Sequence, residues 1–270
     1  MTPPDVDASP LEHARRLAEG GDLDGAAAIL SELAADPDGP HRAQAAVGLA
    51  VVLEQRGDAE GARAAARVAL ATGHPEYGAQ AACHLAQGFE RDERDDQARG
   101  AWQAALGTGV PEYAVLAHLG LARLAVRRDD LDGAELELRA AIGIGDPHLG
   151  ARAAQQLAEL LLYRGEPGEA ADTLLEALAE APETEVPRLR VQLGIAHLEL
   201  ACAEFAGAIE EGEDPGTSAL AIELLARTLP LRGRDDDAEQ VWSYGLNHAD
   251  AALADEVRLR LGRGTLSPGG

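Results

Sequence analysis

The sequence predicts an all-α repeat protein, and its internal spacing is the main reason. One alanine occurs six times at intervals of 36 residues, and a seventh copy follows after 32. Alanine dominates the apolar residues and favours helix at nearly every position, while aromatic residues make up only 3% of the 270 residues. No segment alternates with the period of two that a half-buried strand requires. We call the recurring alanines the anchors; they are Ala26, Ala62, Ala98, Ala134, Ala170, Ala206 and Ala238.

The residues around each anchor predict two helices and two connections. The segments GDLDGA and GDAEGA end at the first two anchors, and their Gly and Asp residues suit a tight turn followed by a helix N-cap. A leucine stands thirteen residues before the anchor in every repeat but the first. Apolar residues four, seven and eight after most anchors share one helix face. The segments HPEYG, VPEYA and DPHLG place a proline between repeats, so each repeat reads as helix, short turn, helix and proline loop.

This pattern resembles the tetratricopeptide repeat, in which a Leu-Gly/Ala pair is followed by an alanine, an aromatic residue and a closing proline. The resemblance covers residues 10–250. It implies an all-α, right-handed α-solenoid of about seven helix-turn-helix repeats with a C-terminal capping helix. The period exceeds the roughly 34 residues of the family, and we assign the extra residues to a longer proline loop. The match is fullest in two repeats, through Leu85, Ala86, Ala98, Trp102 and Pro111 and through Leu225, Ala226, Ala238 and Trp242.

The chain is expected to form one array between two short ends. We predict a flexible N-terminal segment at 1–9, a tetratricopeptide-like α-solenoid over 10–263 and a disordered tail at 264–270. The sixth repeat is irregular, because its second helix, from Glu204, looks truncated and Glu210 stands where most repeats have Trp or Leu. We expect a local kink there, or an edge left for a partner. The predicted repeats are 10–40, 41–76, 77–112, 113–148, 149–184, 185–218 and 219–250, with the cap at 251–263.

The charge of the chain argues against some classes of partner. Its net charge is −24 and its pI is near 4.6, whereas binding to nucleic acid or to anionic membranes needs clustered Lys and Arg. No apolar run approaches the length of a membrane span, and the acidic first ten residues do not read as a signal peptide. Cys83 and Cys202 lie in different repeats, so no disulfide framework is indicated. We expect a cytoplasmic protein that binds neither nucleic acid nor membrane.

The resemblance implies that the first helices of successive repeats line a concave groove. Its lining would come from positions 18, 15, 11, 8 and 7 before each anchor, which share one helix face. Amides there can hydrogen-bond the backbone of an extended peptide, and arginines can hold an acidic or C-terminal carboxylate. Two plainer interpretations stay open: the amides form an ordinary polar face, and the arginines pair with acids such as Glu90, Asp129 or Glu159. The candidate partner-binding residues are Gln44, Gln80, Gln87, Arg91, Arg123, Arg127, Arg152, Gln155, Glu159 and Tyr163.

The sequence contains no pattern typical of a catalytic, metal or cofactor site. HExxH and CxxC motifs are absent, and the loops at Gly107 and Gly143 lack the lysine of a phosphate-binding loop. Cys83 lies on the predicted groove face beside His84. Adjacent helical residues point about 100° apart, so these two do not form a nucleophile–base pair. We therefore expect no catalytic residue, no metal and no cofactor.

Three functions are compatible with the sequence. The favoured one is a non-catalytic scaffold or adaptor that binds a peptide or protein segment in the groove. The alternatives are a dedicated chaperone-like or regulatory partner of one enzyme or secretion system, and an enzyme that would use the four arginines with Glu159. A homodimer is also compatible, if apolar residues on the groove face are exposed and need covering. Those apolar residues are Leu116, Leu119, Val126, Val191, Ile195 and Leu198.

Overall fold

The computed structural model describes residues 9–212 and 214–264, and within them every regular element is a helix. The predicted all-α helical-repeat fold is thereby confirmed. The predicted N-terminal segment and C-terminal tail lie, apart from Ser9 and Gly264, outside the described residues. The chain divides into an N-terminal unit that ends at Gln156 and a C-terminal unit that begins at Leu157, within the ninth helix.

The N-terminal unit contains four helix-turn-helix repeats and the start of a fifth. The two helices of each repeat pack against each other, and each of the first three second helices also packs against the first helix of the next repeat. The buried residues are mainly alanines, with a few large side chains such as Trp102 and Leu124 between them. The helices are α1 (Pro10–Glu19), α2 (Leu23–Ala35), α3 (Arg42–Gln55), α4 (Ala59–Ala71), α5 (Pro75–Arg91), α6 (Asp95–Gly107), α7 (Pro111–Arg127), α8 (Leu131–Gly143) and α9 (Pro147–Arg164), which continues into the C-terminal unit.

A residue with positive φ follows the first helix of each regular repeat. It stands five residues before the anchor, and its left-handed backbone lets the chain reverse into the second helix. Glycine fills this place in four repeats, whereas Glu93 and Asp129 fill it in the third and fourth, with φ of 58° and 60°. In three repeats the next residue is an aspartate that caps the second helix by accepting a hydrogen bond from a backbone N–H. These aspartates are Asp22, Asp58 and Asp130.

Proline opens the first helix of the third, fourth and fifth repeats. Pro75, Pro111 and Pro147 each begin a helix, where the missing N–H would be unpaired in any case and the fixed φ suits helix. The loop before each proline is short, as at 108–110 between α6 and α7. The expected longer proline loop is therefore wrong. The extra length of the repeat lies in its helices, since α5 and α7 have 17 residues each.

Replacing Glu93 with glycine is expected to stabilise the protein by about 0.5–1 kcal/mol. A side chain in the left-handed region is strained, and Glu93 makes no side-chain hydrogen bond or ion pair with the described residues that the change would remove. Gly57→Ala, at the same place in the second repeat, is the control and should destabilise the protein. Guanidinium denaturation followed by circular dichroism measures both. A shift of the same sign in the two variants would contradict this account of the turn.

Successive repeats interlock by side-chain size. The side chain four residues after an anchor meets the residue fourteen before the next anchor. Trp102 lies against Gly120, where an added Cβ would stand 2.2 Å from the indole, and Leu30 lies against Gly48, where it would stand 3.3 Å from the leucine. The corresponding residues of the intervening repeat boundary are Ala66 and His84. A large residue in one repeat is thus matched by a small one in its neighbour.

The C-terminal unit departs from the regular pattern in the sixth repeat. The expected truncated second helix does not form, because Val186–Glu211 is one continuous helix of 26 residues, α11. The place five residues before the anchor is held by Ala201, a strong helix former, where the other repeats have a left-handed residue. The remaining helices are α10 (Pro167–Glu180), α12 (Pro215–Thr228), a short 3-10 helix (Leu229–Arg232), α13 (Asp235–Leu246) and α14 (Ala251–Gly264).

The last helix, α14, is the predicted cap. It packs against α12 and α13. Its buried Leu253 and Val257 form a cluster with Ala219 and Ile222 of α12, while residues such as Arg258 are exposed. The helix therefore has one apolar and one polar face, as the end of a repeat array requires.

Candidate functional site

Of the five helix positions predicted to line the groove, three remain as candidate surface in the structure. Fifteen residues before the anchor the side chain belongs to the core, since Val47, Cys83 and Leu119 are all buried. Eight residues before the anchor, Glu54 and Glu90 bind side chains of the next repeat, whereas Val126 on α7 is exposed. The positions 18, 11 and 7 residues before the anchor hold no buried residue in α3, α5 or α7. We call the residues at these positions the exposed strip. The strip consists of Gln44, Val51, Gln55, Gln80, Gln87, Arg91, Leu116, Arg123 and Arg127.

The three helices that carry the exposed strip contact one another, α3 with α5 and α5 with α7. Between α3 and α5, Arg91 donates a hydrogen bond to Glu54. His84 Nε2 lies 2.9 Å from the other carboxylate oxygen of Glu54. Arg91 contacts the acid through only one nitrogen, and its side chain is 64% exposed. The acid therefore joins two repeats and leaves other N–H groups of Arg91 available to a ligand.

Glu90 makes the equivalent link between α5 and α7, and it accepts hydrogen bonds from more side chains than Glu54 does. Arg123 donates to both of its carboxylate oxygens at 3.1 and 3.3 Å, and Arg127 lies 3.5 Å from one of them. Trp102 Nε1 donates at 2.6 Å. The Glu90 side chain is only 12% exposed, so these donors take the place of water. Arg127 also binds Asp95, and this hydrogen bond holds the pKa of the Asp95 carboxyl below its ordinary value.

Three of the four candidate arginines are therefore occupied, at least in part, by carboxylates of the protein. Each pairs with an acid from the preceding repeat, which is the plainer of the two sequence interpretations. Arg152 differs: it is exposed and makes no hydrogen bond or ion pair with the residues that the structure describes. The arginines that bind intramolecular acids are Arg91, Arg123 and Arg127.

Of these pairing acids, Glu90 is named in the plainer sequence interpretation and Glu54 is not, although the sequence holds a signal for both. Glu54 and Arg91 are 37 residues apart, and so are Glu90 and Arg127. This separation is one residue more than the repeat, so it places an acid and an arginine at neighbouring positions of adjacent first helices.

The candidate amides fall into two groups. Gln44 and Gln87 are exposed and Gln80 is half-buried, and none of the three makes a side-chain hydrogen bond within the described chain. Gln155 lies on α9, fifteen residues before the anchor Ala170; it is half-buried and does have a partner in the protein. The first group can offer both donor and acceptor to a ligand.

The last two candidates lie in the C-terminal unit. Glu159 accepts a hydrogen bond of 2.6 Å from Gln192 of α11. Tyr163 is 77% exposed near the end of α9. The enzyme alternative assigned Glu159 to the arginine cluster; in the structure its carboxylate accepts a hydrogen bond from the amide of Gln192 on α11.

Burial also decides the role of Cys83. The thiol lies in the core, and burial raises its pKa to about 12. It therefore stays protonated at neutral pH and is a poor nucleophile. Its neighbour His84 binds Glu54 instead.

The apolar residues proposed for self-association do not form one exposed set. Leu119 is buried, so its assignment to the groove surface is wrong. Leu116 is half-buried and Val126 exposed in the N-terminal unit. In the C-terminal unit, Val191 is exposed, and Ile195 and Leu198 are half-buried.

Replacing Glu90 with alanine is expected to lower the free energy of unfolding by about 1–3 kcal/mol, since the buried indole N–H of Trp102 loses its acceptor. Glu90→Gln keeps an oxygen at that place and should cost less. Glu32→Ala, at an exposed site on α2, is the control and should change stability by less than about 0.5 kcal/mol. Guanidinium denaturation compares the three variants. Equal losses of unfolding free energy in Glu90→Ala and Glu32→Ala would show that the contacts of Glu90 do not stabilise the protein.

The described residues give no sign of a metal site or a membrane span. No group of three His, Cys, Asp or Glu side chains within 9–212 and 214–264 could hold a metal ion. None of the helices in these ranges combines the length and apolarity needed to cross a bilayer.

Two family models match the chain. The model described as tetratricopeptide repeat covers residues 11–77, and the one described as tetratricopeptide repeat-like domain covers residues 107–190. Together they include more than half of the chain. No curated protein matches it significantly in sequence.

Solved structures support the same assignment at the level of the fold. RapI in its apo form is 11% identical with a TM-score of 0.55, covering 94% of this chain and 98% of its own. PilF of Pseudomonas aeruginosa is 17% identical with a TM-score of 0.51, covering 93% and 95%. A signal transduction ATPase of Pyrococcus horikoshii with a tetratricopeptide repeat sensor is 13% identical with a TM-score of 0.52, covering 95% of this chain and 42% of its own. With its 36-residue spacing, paired helices and matches to two family models, the chain belongs to the tetratricopeptide repeat family.

Proposed function

We propose that this protein is a non-catalytic interaction scaffold that binds a peptide or protein segment along the exposed strip. The main support is that two neighbouring helices, α3 and α5, offer hydrogen-bonding groups to solvent. The amides of Gln44 and Gln87 have no hydrogen-bond partner among the described residues, and Arg91 is mostly exposed. The links through Glu54 and Glu90 hold the three helices in register, so the strip would be preorganised for binding.

The bound segment is proposed to be extended and to carry an acidic side chain or a C-terminal carboxylate. A primary amide can donate to and accept from a peptide backbone, which suits an extended chain. Arg91 of the exposed strip would hold this carboxylate, and Arg152, on α9 outside the strip, would hold a second one, because both retain donors that no acid of the described residues occupies. Arg123 and Arg127 are engaged by Glu90 and would mainly support the surface.

A displayed library of random linear peptides tests this function. Peptides enriched on the wild-type protein are synthesised, and their affinities are measured by fluorescence anisotropy. We expect Gln44→Ala with Gln87→Ala to weaken binding about tenfold, the effect of losing two hydrogen bonds. Arg152→Ala should in particular weaken the binding of peptides that carry a carboxylate. The matched control is Gln97→Ala with Gln103→Ala, two exposed glutamines of the second helix α6.

Equal affinity of the enriched peptides for the two double variants would place the binding surface away from the strip. If the enriched peptides contain no acidic residue and do not depend on a C-terminal carboxylate, the assignment of Arg91 and Arg152 as carboxylate-binding residues is contradicted. Circular dichroism of each variant confirms that the helices remain folded.

A further inference from the structure

The anchor of the sixth repeat differs from the other six. Each of those is at most 5% exposed, because a second helix packs it against the first helix of its own repeat. Ala206 is partly exposed, since α11 continues and does not fold back. Twelve residues before the anchor, Gly194 is likewise exposed where all other repeats have a buried alanine. The sixth repeat therefore has helix surface that its counterparts cover with a second helix.

A cleft of about 770 Å³ lies beside this surface, entirely within the C-terminal unit. One wall is the second half of α11, including Ala206 and Ile209, and α13 contributes Val241. Pro167, at the start of α10, borders the cleft on another side. The helices α10 and α13 are the second helices of the fifth and seventh repeats. The cleft thus lies between them, where the second helix of the sixth repeat would come in order.

The rim of the cleft is acidic. Glu199, Glu210 and Asp237 line it, with Arg234 as the basic residue. Arg234 already binds Asp237 at 2.7 Å. Glu199 is bound by an arginine of the 3-10 helix at 2.8 Å. Glu210 is exposed and has no partner within the described chain, so its charge is uncompensated.

We propose that this cleft docks an α-helical segment of a partner protein, with a face of small and aliphatic side chains and with lysine or arginine on its flanks. The helical form follows from the position of the cleft, which is bordered by the second helices of the fifth and seventh repeats. The apolar face would cover Ala206, Ile209 and Val241, and the basic flank would meet Glu210. The site shares no residue with the exposed strip, so it stands apart from the proposed peptide binding.

The charge distribution argues against a second copy of this chain as the occupant. The chain carries 47 acidic and 23 basic residues. A second copy would on balance bring further negative charge to a rim whose Glu210 is already uncompensated. A basic helix gains from the same field.

The test is a phage-displayed library of single helices with leucine and alanine fixed along one face and Lys, Glu or Gln randomised on the flanks. The library is selected on the full chain, and enriched peptides are titrated against variants by anisotropy. Ala203→Trp fills the cleft from an exposed wall position, and Glu210→Lys reverses the rim charge. Glu176→Lys reverses an exposed acid on α10 that has no partner among the described residues, and it serves as the matched control.

We expect enriched peptides to be rich in lysine and to lose at least about tenfold in affinity with Ala203→Trp and with Glu210→Lys, while Glu176→Lys leaves binding within about twofold. The proposal is overturned if no peptide is enriched, if the enriched peptides are acidic, or if both cleft variants bind as well as the wild type. It is also overturned if sedimentation shows a wild-type dimer that Ala203→Trp abolishes, because the occupant is then a second copy. Loss of binding in the Gln44 and Gln87 variant instead would assign these peptides to the exposed strip.

Discussion

Replacing Trp102 with alanine is expected to lower the free energy of unfolding of the N-terminal unit by about 3–5 kcal/mol. The indole is 1% exposed and occupies the space that Gly120 leaves between α6 and α7. Its loss opens a cavity and deprives Glu90 of its shortest hydrogen bond, 2.6 Å. Hydrogen exchange of the backbone amides of α5 to α7 is the measurement, because a repeat array need not unfold in one step.

Trp242 provides the matched control, since it stands at the same place after the anchor of the seventh repeat. Its side chain is half-buried, so alanine there should cost less than at Trp102. A loss below about 1 kcal/mol at Trp102, or equal losses at both tryptophans, would contradict the packing role assigned to the buried indole.

Replacing Gly120 with alanine is expected to destabilise the N-terminal unit by about 1–3 kcal/mol. The added Cβ would stand 2.2 Å from Cε2 and 2.4 Å from Nε1 of Trp102. A rigid buried ring that is also hydrogen-bonded to Glu90 can move little. This destabilisation is opposite to the usual effect, because replacing glycine with alanine inside a helix usually stabilises a protein by about 1 kcal/mol.

Gly100→Ala is the control for that prediction. Gly100 is exposed within α6, and no atom lies within 4 Å of its added Cβ. This variant should be stabilised by about 0.5–1 kcal/mol, and guanidinium denaturation measures both glycine variants. Combining Gly120→Ala with Trp102→Leu should cost less than the sum of the two single changes, because the smaller leucine leaves room for the methyl group. Additive costs would show that the two residues do not compete for one space.

The regular repeats could be predicted from the sequence because their turns depend on local chemistry. A left-handed residue followed by a capping aspartate, and a proline at the first helical position, act within a few residues of where they stand. The sixth repeat lacks such a residue at Ala201, and from its sequence alone its second helix looks truncated. Whether a chain folds back also depends on what the second helix would bury, and Glu210 stands where Trp102 is buried in the third repeat.

The candidate site could be predicted only as a helix face. Periodicity places Val47, Cys83 and Leu119 on the same face as the exposed glutamines, but burial depends on how close the neighbouring helices come. The arginines raise a similar difficulty. A guanidinium binds an internal and an external carboxylate with the same chemistry, and only the distance of Arg127 to Asp95, 2.8 Å, shows which acid is present.

The size matching between neighbouring repeats restricts how the gene for such an array can grow by duplication. A tandem copy of residues 77–112 would preserve the ionic link, because that repeat carries both Glu90 and Arg91. In the duplicated array, however, Trp102 of the first copy would face His84 of the second copy, where it now faces Gly120. The imidazole would then need the volume that the indole fills. The order of the repeats is therefore constrained by volume more than by charge, and inserting a copy requires a compensating small residue in the new neighbour.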